Sequence, residues 1–111
     1  MISKDISPRD ALPTVDRDPT DYFRMFSKLG AWRWVPRAQV FRLEESDRLY
    51  KSFRTHFLIF DGNTRRATAQ ELNQVYRVNI LEPSDFENFN ELLLEAKLNA
   101  ERHYSLDLFG F

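Results

Sequence analysis

His56 and His103 are the only imidazoles in the chain, and there is no cysteine. Without a thiol, a cysteine nucleophile, a thiolate zinc site, an iron–sulfur cluster and a disulfide framework are all excluded. No Gly-x-Ser-x-Gly turn presents a serine nucleophile either. His56 adjoins the most apolar run, and His103 falls near the end of a helical pattern, where a cation suits the helix dipole. Both read as structural. Glu44, Glu45 and Asp47 supply carboxylates, but acid–base work needs two carboxyls held across a cleft, and neighbours on one polar stretch face water. Asp61-x-Asn63 opens like a calcium loop, yet Arg65 and Ala67 put a cation and a methyl where oxygen ligands are required. Gly30, Gly62 and Gly110 are the only glycines and form no phosphate-cradling pattern. Arg65-Arg66-Ala67-Thr68 has the spacing of a basophilic kinase site, but Thr68 has a sufficient role as a helix cap. The inventory predicts a protein that is not an enzyme and needs no metal or cofactor.

Charge points instead to binding. The net charge of −1 conceals a polarity: residues 22 to 66 carry ten basic side chains against four acidic, and residues 69 to 111 carry eight acidic against three basic. Such polarity suits an oriented partner or pairing of the two halves within the fold. Arginines interleave with aromatics in the basic stretch, so Arg33, Arg37, Arg42, Arg54, Arg65 and Arg66 could join phosphate contacts to base stacking. Against a nucleic-acid ligand stand a pI near 6.1, the demand a small core makes on its aromatics, and the absence of a nucleic-acid-binding signature.

The elements that must position these groups are legible in outline. With 111 residues, 42% of them hydrophobic, the chain is long enough for one packed domain and too short for a two-domain enzyme. No run approaches the roughly 18 apolar residues of a membrane span, and no signal peptide is evident, so the expectation is a soluble, cytoplasmic protein without membrane contact. Residues 1–17 hold Pro8 and Pro13 and no aromatic residue, which predicts a flexible N-terminal arm. Asp18-Pro19-Thr20-Asp21 caps a short amphipathic helix that ends at Gly30. Residues 31–43 alternate Trp32, Arg33 and Trp34 and read as an extended edge interrupted by Pro36. A helical turn over 46–53 leads to a central strand beginning near His56. Asp61-Gly62-Asn63-Thr64 is a turn, Thr68-Ala69-Gln70-Glu71 has the pattern of a capping box, and Arg77–Leu81 is a strand. Ser84-Asp85-Phe86-Glu87 is a second capping box, opening a helix to about Tyr104 with Phe86, Phe89, Leu93, Ala96 and Ala100 on its core face. The whole is a single α+β domain over 18–104, a three- or four-stranded sheet packed against a long C-terminal and a short N-terminal helix.

Residues 105–111 form an apolar tail, Ser105-Leu106-Asp107-Leu108-Phe109-Gly110-Phe111. Leu106-Asp107-Leu108-Phe109 resembles the bacterial sliding-clamp-binding pentapeptide Gln-Leu-Ser/Asp-Leu-Phe, with Ser105 where glutamine is usual. The resemblance implies an aliphatic and an aromatic anchor docking into pockets of a sliding clamp. The other reading is that Leu106, Leu108 and Phe109 fold back as a brace on the domain. Together the features predict an adaptor, inhibitor or assembly subunit that grips a protein partner through Trp32, Arg33, Trp34 and Arg37 and through Leu106, Leu108 and Phe109. An exposed edge could also pair with itself to give a homodimer.

Overall fold

The structure, a computed structural model, describes residues 1–29 and 32–104. The tail with Leu106, Leu108 and Phe109 lies outside the described residues. Five strands, β1 (Ile2–Ile6), β2 (Ala11–Leu12), β3 (Ala38–Arg42), β4 (Phe57–Asp61) and β5 (Tyr76–Ile80), form one mixed sheet in the order β1-β5-β3-β4-β2. Four helices accompany them: α1 (Thr20–Leu29), α2 (Arg48–Phe53), α3 (Asn63–Glu71) and α4 (Phe89–His103). The class is α+β as the sequence predicts, with five strands in place of three or four.

Both extra strands come from residues 1–17, so the flexible arm expected there is corrected to ordered sheet edges. Ile2 and Ile6 occupy one face of β1, opposite Ile80 and Tyr76 in antiparallel register, and Ile6 is buried. β2 pairs in parallel with β4 through Ala11 and Leu12, both buried. Pro8 opens a 3-10 turn, Pro8–Asp10, where its missing N–H costs no ladder bond. That turn joins opposite edges of the sheet, which forces curvature. In a flat sheet four spacings of about 4.8 Å would hold the outer strands about 19 Å apart. The five Cα steps from Ile6 to Ala11 reach at most about 18 Å even when extended, and a 3-10 turn shortens them.

β3, expected at an edge, lies at the centre, between parallel β5 and antiparallel β4. Pro36 stands before the strand, outside its ladder, and Trp32–Trp34 is a separate 3-10 turn. Ala38, Val40 and Phe41 have no exposed surface, as a strand covered on both faces requires. Val40, Ile59, Val78 and Ile80 form one core with Ala69 and Leu72 of the α3 region and with Phe26 of α1. Phe41, Leu58 and Leu81 form a second core with Leu49 of α2 and with Phe89, Leu93, Ala96 and Ala100 of α4. The 3.6-residue spacing of those α4 residues turns them all to the sheet.

Two helix starts differ from their sequence patterns. α3 begins at Asn63, five residues before the expected cap, and Thr68 sits buried inside it with Oγ1 donating to the Thr64 carbonyl at 2.7 Å. Gly62 makes the early start available. Its φ is 123°, and a Cβ there would lie 2.4 Å from the Ala38 Cβ and 2.9 Å from the Tyr76 hydroxyl. The Tyr76 hydroxyl in turn donates to the Gly62 carbonyl at 2.8 Å. Burial pushes that phenol above its usual range, so it remains a donor. Before α4, Glu82 and Asp85 close a reciprocal cap around the 3-10 turn Pro83–Asp85, and the helix itself begins at Phe89. Lys97 pairs with Asp47 at 2.7 Å, tying α4 to the start of α2.

Candidate binding surface

The turn Trp32–Trp34 decides the site. Trp32 is buried, its indole N–H donating to the Val75 carbonyl at 2.9 Å and its ring meeting Phe26 edge to face at 6.1 Å. A 3-10 turn advances about 120° per residue, so a side chain two positions on cannot share the anchored face. Trp34 is accordingly 72% exposed, the most exposed large apolar side chain among the described residues. The Arg33 guanidinium lies 5.2 Å from its ring centre, a cation–π contact that stiffens both groups at the surface.

Beside this pair opens a groove of about 650 Å³, lined among others by Asp5, Trp32, Arg33, Arg37, Val75 and Arg77. Three guanidinium groups face one carboxylate in this lining. Arg37 Nη1 lies 3.1 Å from the Lys4 carbonyl, 3.1 Å from Asp5 Oδ1 and 3.2 Å from the Val78 carbonyl, so it binds β1 to β5. Arg77 Nη1 donates to the carbonyls of Arg33 and Val35 and holds the tryptophan turn against β5. Arg33 has no such backbone tether among the described residues and meets the ring of Trp34 instead. The arrangement offers a flat aromatic ring, a stacked guanidinium and a preorganised positive floor, with no nucleophile or acid–base pair among the lining residues. It can therefore hold an anionic or planar group.

Trp32, Arg33 and Arg37 thus meet in the lining, with Trp32 as the internal anchor, and Trp34 stands outside it, joined through its contact with Arg33. Asp5, Val75 and Arg77, with Phe26, Leu72 and Gln74, complete the lining and are not evident in the sequence. The pairing of Asp5 with Arg77 across β1 and β5 brings those two there. The other arginines are spent elsewhere. Arg65 donates to the carbonyls of Pro36 and Arg37 at 2.9 and 3.0 Å and to Asp61 at 3.2 Å. Arg66 Nε reaches the carbonyls of Pro8 and Ala11 at 2.9 and 2.8 Å. Its burial lowers its pKa. Arg42 and Arg54 lie over the rings of Phe57 and Tyr50, each at 5.9 Å.

Both histidines sit on the surface beside carboxylates, His56 Nδ1 2.8 Å from Asp10 and His103 Nε2 3.9 Å from Asp16. Among the described residues no group of three or more His, Cys, Asp or Glu side chains is placed to hold a metal ion. No helix among them is long and apolar enough to cross a membrane. Comparison with protein-family models, with curated proteins and with solved structures finds no match.

Proposed function

We propose that the chain is a cytoplasmic protein-interaction module, an adaptor, inhibitor or assembly subunit, that takes an acidic segment of a protein partner into the groove beside Trp34. The observation that supports this reading is Trp34 itself. A ring left 72% in water and backed by a guanidinium is the kind of rigid, low-entropy anchor that dominates interfaces. The partner's carboxylates complement the excess of guanidinium over carboxylate in the lining. The apolar tail, with Leu106, Leu108 and Phe109, is a second proposed contact, its chemistry that of the sliding-clamp peptide it resembles.

Selection of peptides from a random display library tests the reading. Wild-type protein is expected to enrich sequences rich in Asp and Glu, and Trp34→Ala or Arg33→Glu to abolish the enrichment at unchanged melting temperature. Enrichment without acidic bias, or unaffected by either substitution, overturns it. The nucleic-acid alternative loses much of its footing because Arg65 and Arg66 address backbone carbonyls. Retention on single-stranded DNA that falls steeply with salt and is lost in Arg33→Ala would restore it. Deleting residues 105–111 and assaying binding to purified sliding clamp tests the tail separately.

A further inference from the structure

We propose that the outer face of α4 is a self-complementary interface through which two copies of this chain pair antiparallel. Leu94 and Leu98 are 57% and 40% exposed on a helix whose opposite face buries Ala96 and Ala100. At 100° per residue, Leu98 points about 180° away from the midline of buried Ala96 and Ala100, directly into solvent. Leu94 lies one turn before it. Glu91 and Arg102, both exposed, flank the two leucines, one toward each end of the helix, and share one side of this stripe.

The order acid, leucine, leucine, base determines what fits. Take a two-fold axis perpendicular to the helix, level with the midpoint between Leu94 and Leu98. At a rise of 1.5 Å per residue, Glu91 stands about 7.5 Å to one side of that level and Arg102 about 9 Å to the other. The rotation therefore sets Glu91 of one copy across from Arg102 of the other, within about 1.5 Å along the axis. It also sets Leu94 against Leu98. A two-fold of this kind keeps each side of the stripe facing its own copy, so the acid and base do meet, twice by symmetry. Parallel pairing would bring Glu91 level with Glu91 and Arg102 level with Arg102, leaving neither an opposite charge, and would align the helix dipoles unfavourably. The surface complementary to this helix is thus the same helix reversed. The exposed strand β1 lacks this property, because antiparallel registers centred on Lys4 or Asp5 oppose like charges.

Sedimentation velocity from micromolar to millimolar concentration tests the interface. The full chain is expected to move from 13.3 kDa toward twice that mass as concentration rises. Leu98→Glu is expected to leave it monomeric at an unchanged melting temperature. Glu91→Arg and Arg102→Glu are each expected to weaken self-association by about tenfold, since each turns two attractive contacts repulsive. The two single variants mixed together, and the double variant alone, are expected to associate like wild type. A mass of 13.3 kDa at every concentration overturns the proposal. So does failure of the mixture or the double variant to recover association. A Leu98→Glu variant that melts markedly lower without any change in mass would also overturn it, showing the face covered from within the chain.

Discussion

The turn Trp32–Trp34 and the first half of α3 each present arginine at a surface, and they use it in opposite ways. Arg65 and Arg66 direct their forks at the carbonyls of Pro36, Arg37, Pro8 and Ala11, four backbone acceptors of which only Ala11 belongs to a strand. Such acceptors need a partner when water is excluded, and a planar guanidinium can satisfy two at once. Among the described residues Arg33 has only the ring of Trp34. The difference teaches that an arginine-rich stretch becomes a binding surface only where the surrounding loops leave a guanidinium without a carbonyl to serve. Arg37 and Arg77 stand between the extremes, lining the groove while tied to backbone.

The largest effect should come from the element that aims α3. Gly62→Ala combines a left-handed backbone position with a Cβ driven into Ala38 and Tyr76. The cost should be about 3 kcal/mol or more. For a domain of this size that lowers the melting temperature by more than about 10 °C, measurable by circular dichroism. Next comes Arg66→Met, which removes the donor shared by the Pro8 and Ala11 carbonyls, leaves Pro8 only its bond from the Ala11 N–H, and should cost about 2 kcal/mol in urea denaturation. Arg33→Met, by contrast, should change stability by no more than about 0.5 kcal/mol while abolishing peptide capture. If the two arginine variants proved equally destabilising, the contrast between the regions would collapse. The tryptophans give a smaller version of the same test. Trp32→Phe forfeits the bond to Val75 and packing against Phe26 and should cost about 1 to 2 kcal/mol, whereas Trp34→Ala should be near neutral.

Sequence reasoning succeeds where the pattern is local and long. The apolar face of α4 follows from spacing alone, and so do the run at Phe57 and the alternation around Val78. It fails where pairing is non-local. Two isoleucines four residues apart cannot reveal β1 until β5 is known to need a neighbour, and β2, a strand of two residues, has no period at all. Trp32 and Trp34 would share one face of a strand, but two positions along a 3-10 turn part company, and only the bond to Val75 tells which tryptophan is the anchor. The caps at Thr68 and Ser84 mislead for a related reason. Gly62 in one case and the Glu82–Asp85 turn in the other settle the chain's direction first. The arginine carbonyl contacts span as many as 58 positions, beyond any sequence window.

The smallest expected effect concerns how β1, which carries Asp5 to the groove, is held at its other end. The Met1 ammonium lies 3.0 Å from Asp85 and 3.5 Å from Glu82. The hydrogen bond to Asp85 raises the Met1 pKa above 8.0, and bonding to the Glu82 backbone and to Met1 depresses Asp85 below 3.8. The signs then follow by linkage. The raised ammonium contributes stability that is complete below pH 8.0 and disappears as pH climbs through its folded value. The depressed carboxyl contributes stability present above pH 3.8 and lost as pH falls through its own lower value. The Met1 ammonium is exposed and Asp85 is half-buried at the surface, so each limb should be shallow and flattened further by salt. Asp85→Asn should reduce the alkaline limb, leaving the part that Glu82 supports, and reduce the acid one, while Arg37 continues to hold the groove end of β1. Peptide capture at pH 7 should therefore survive this substitution. If capture were lost together with that part of the alkaline limb, the groove would depend on the far end of β1, and the local division between tethered and free guanidinium groups would be too simple.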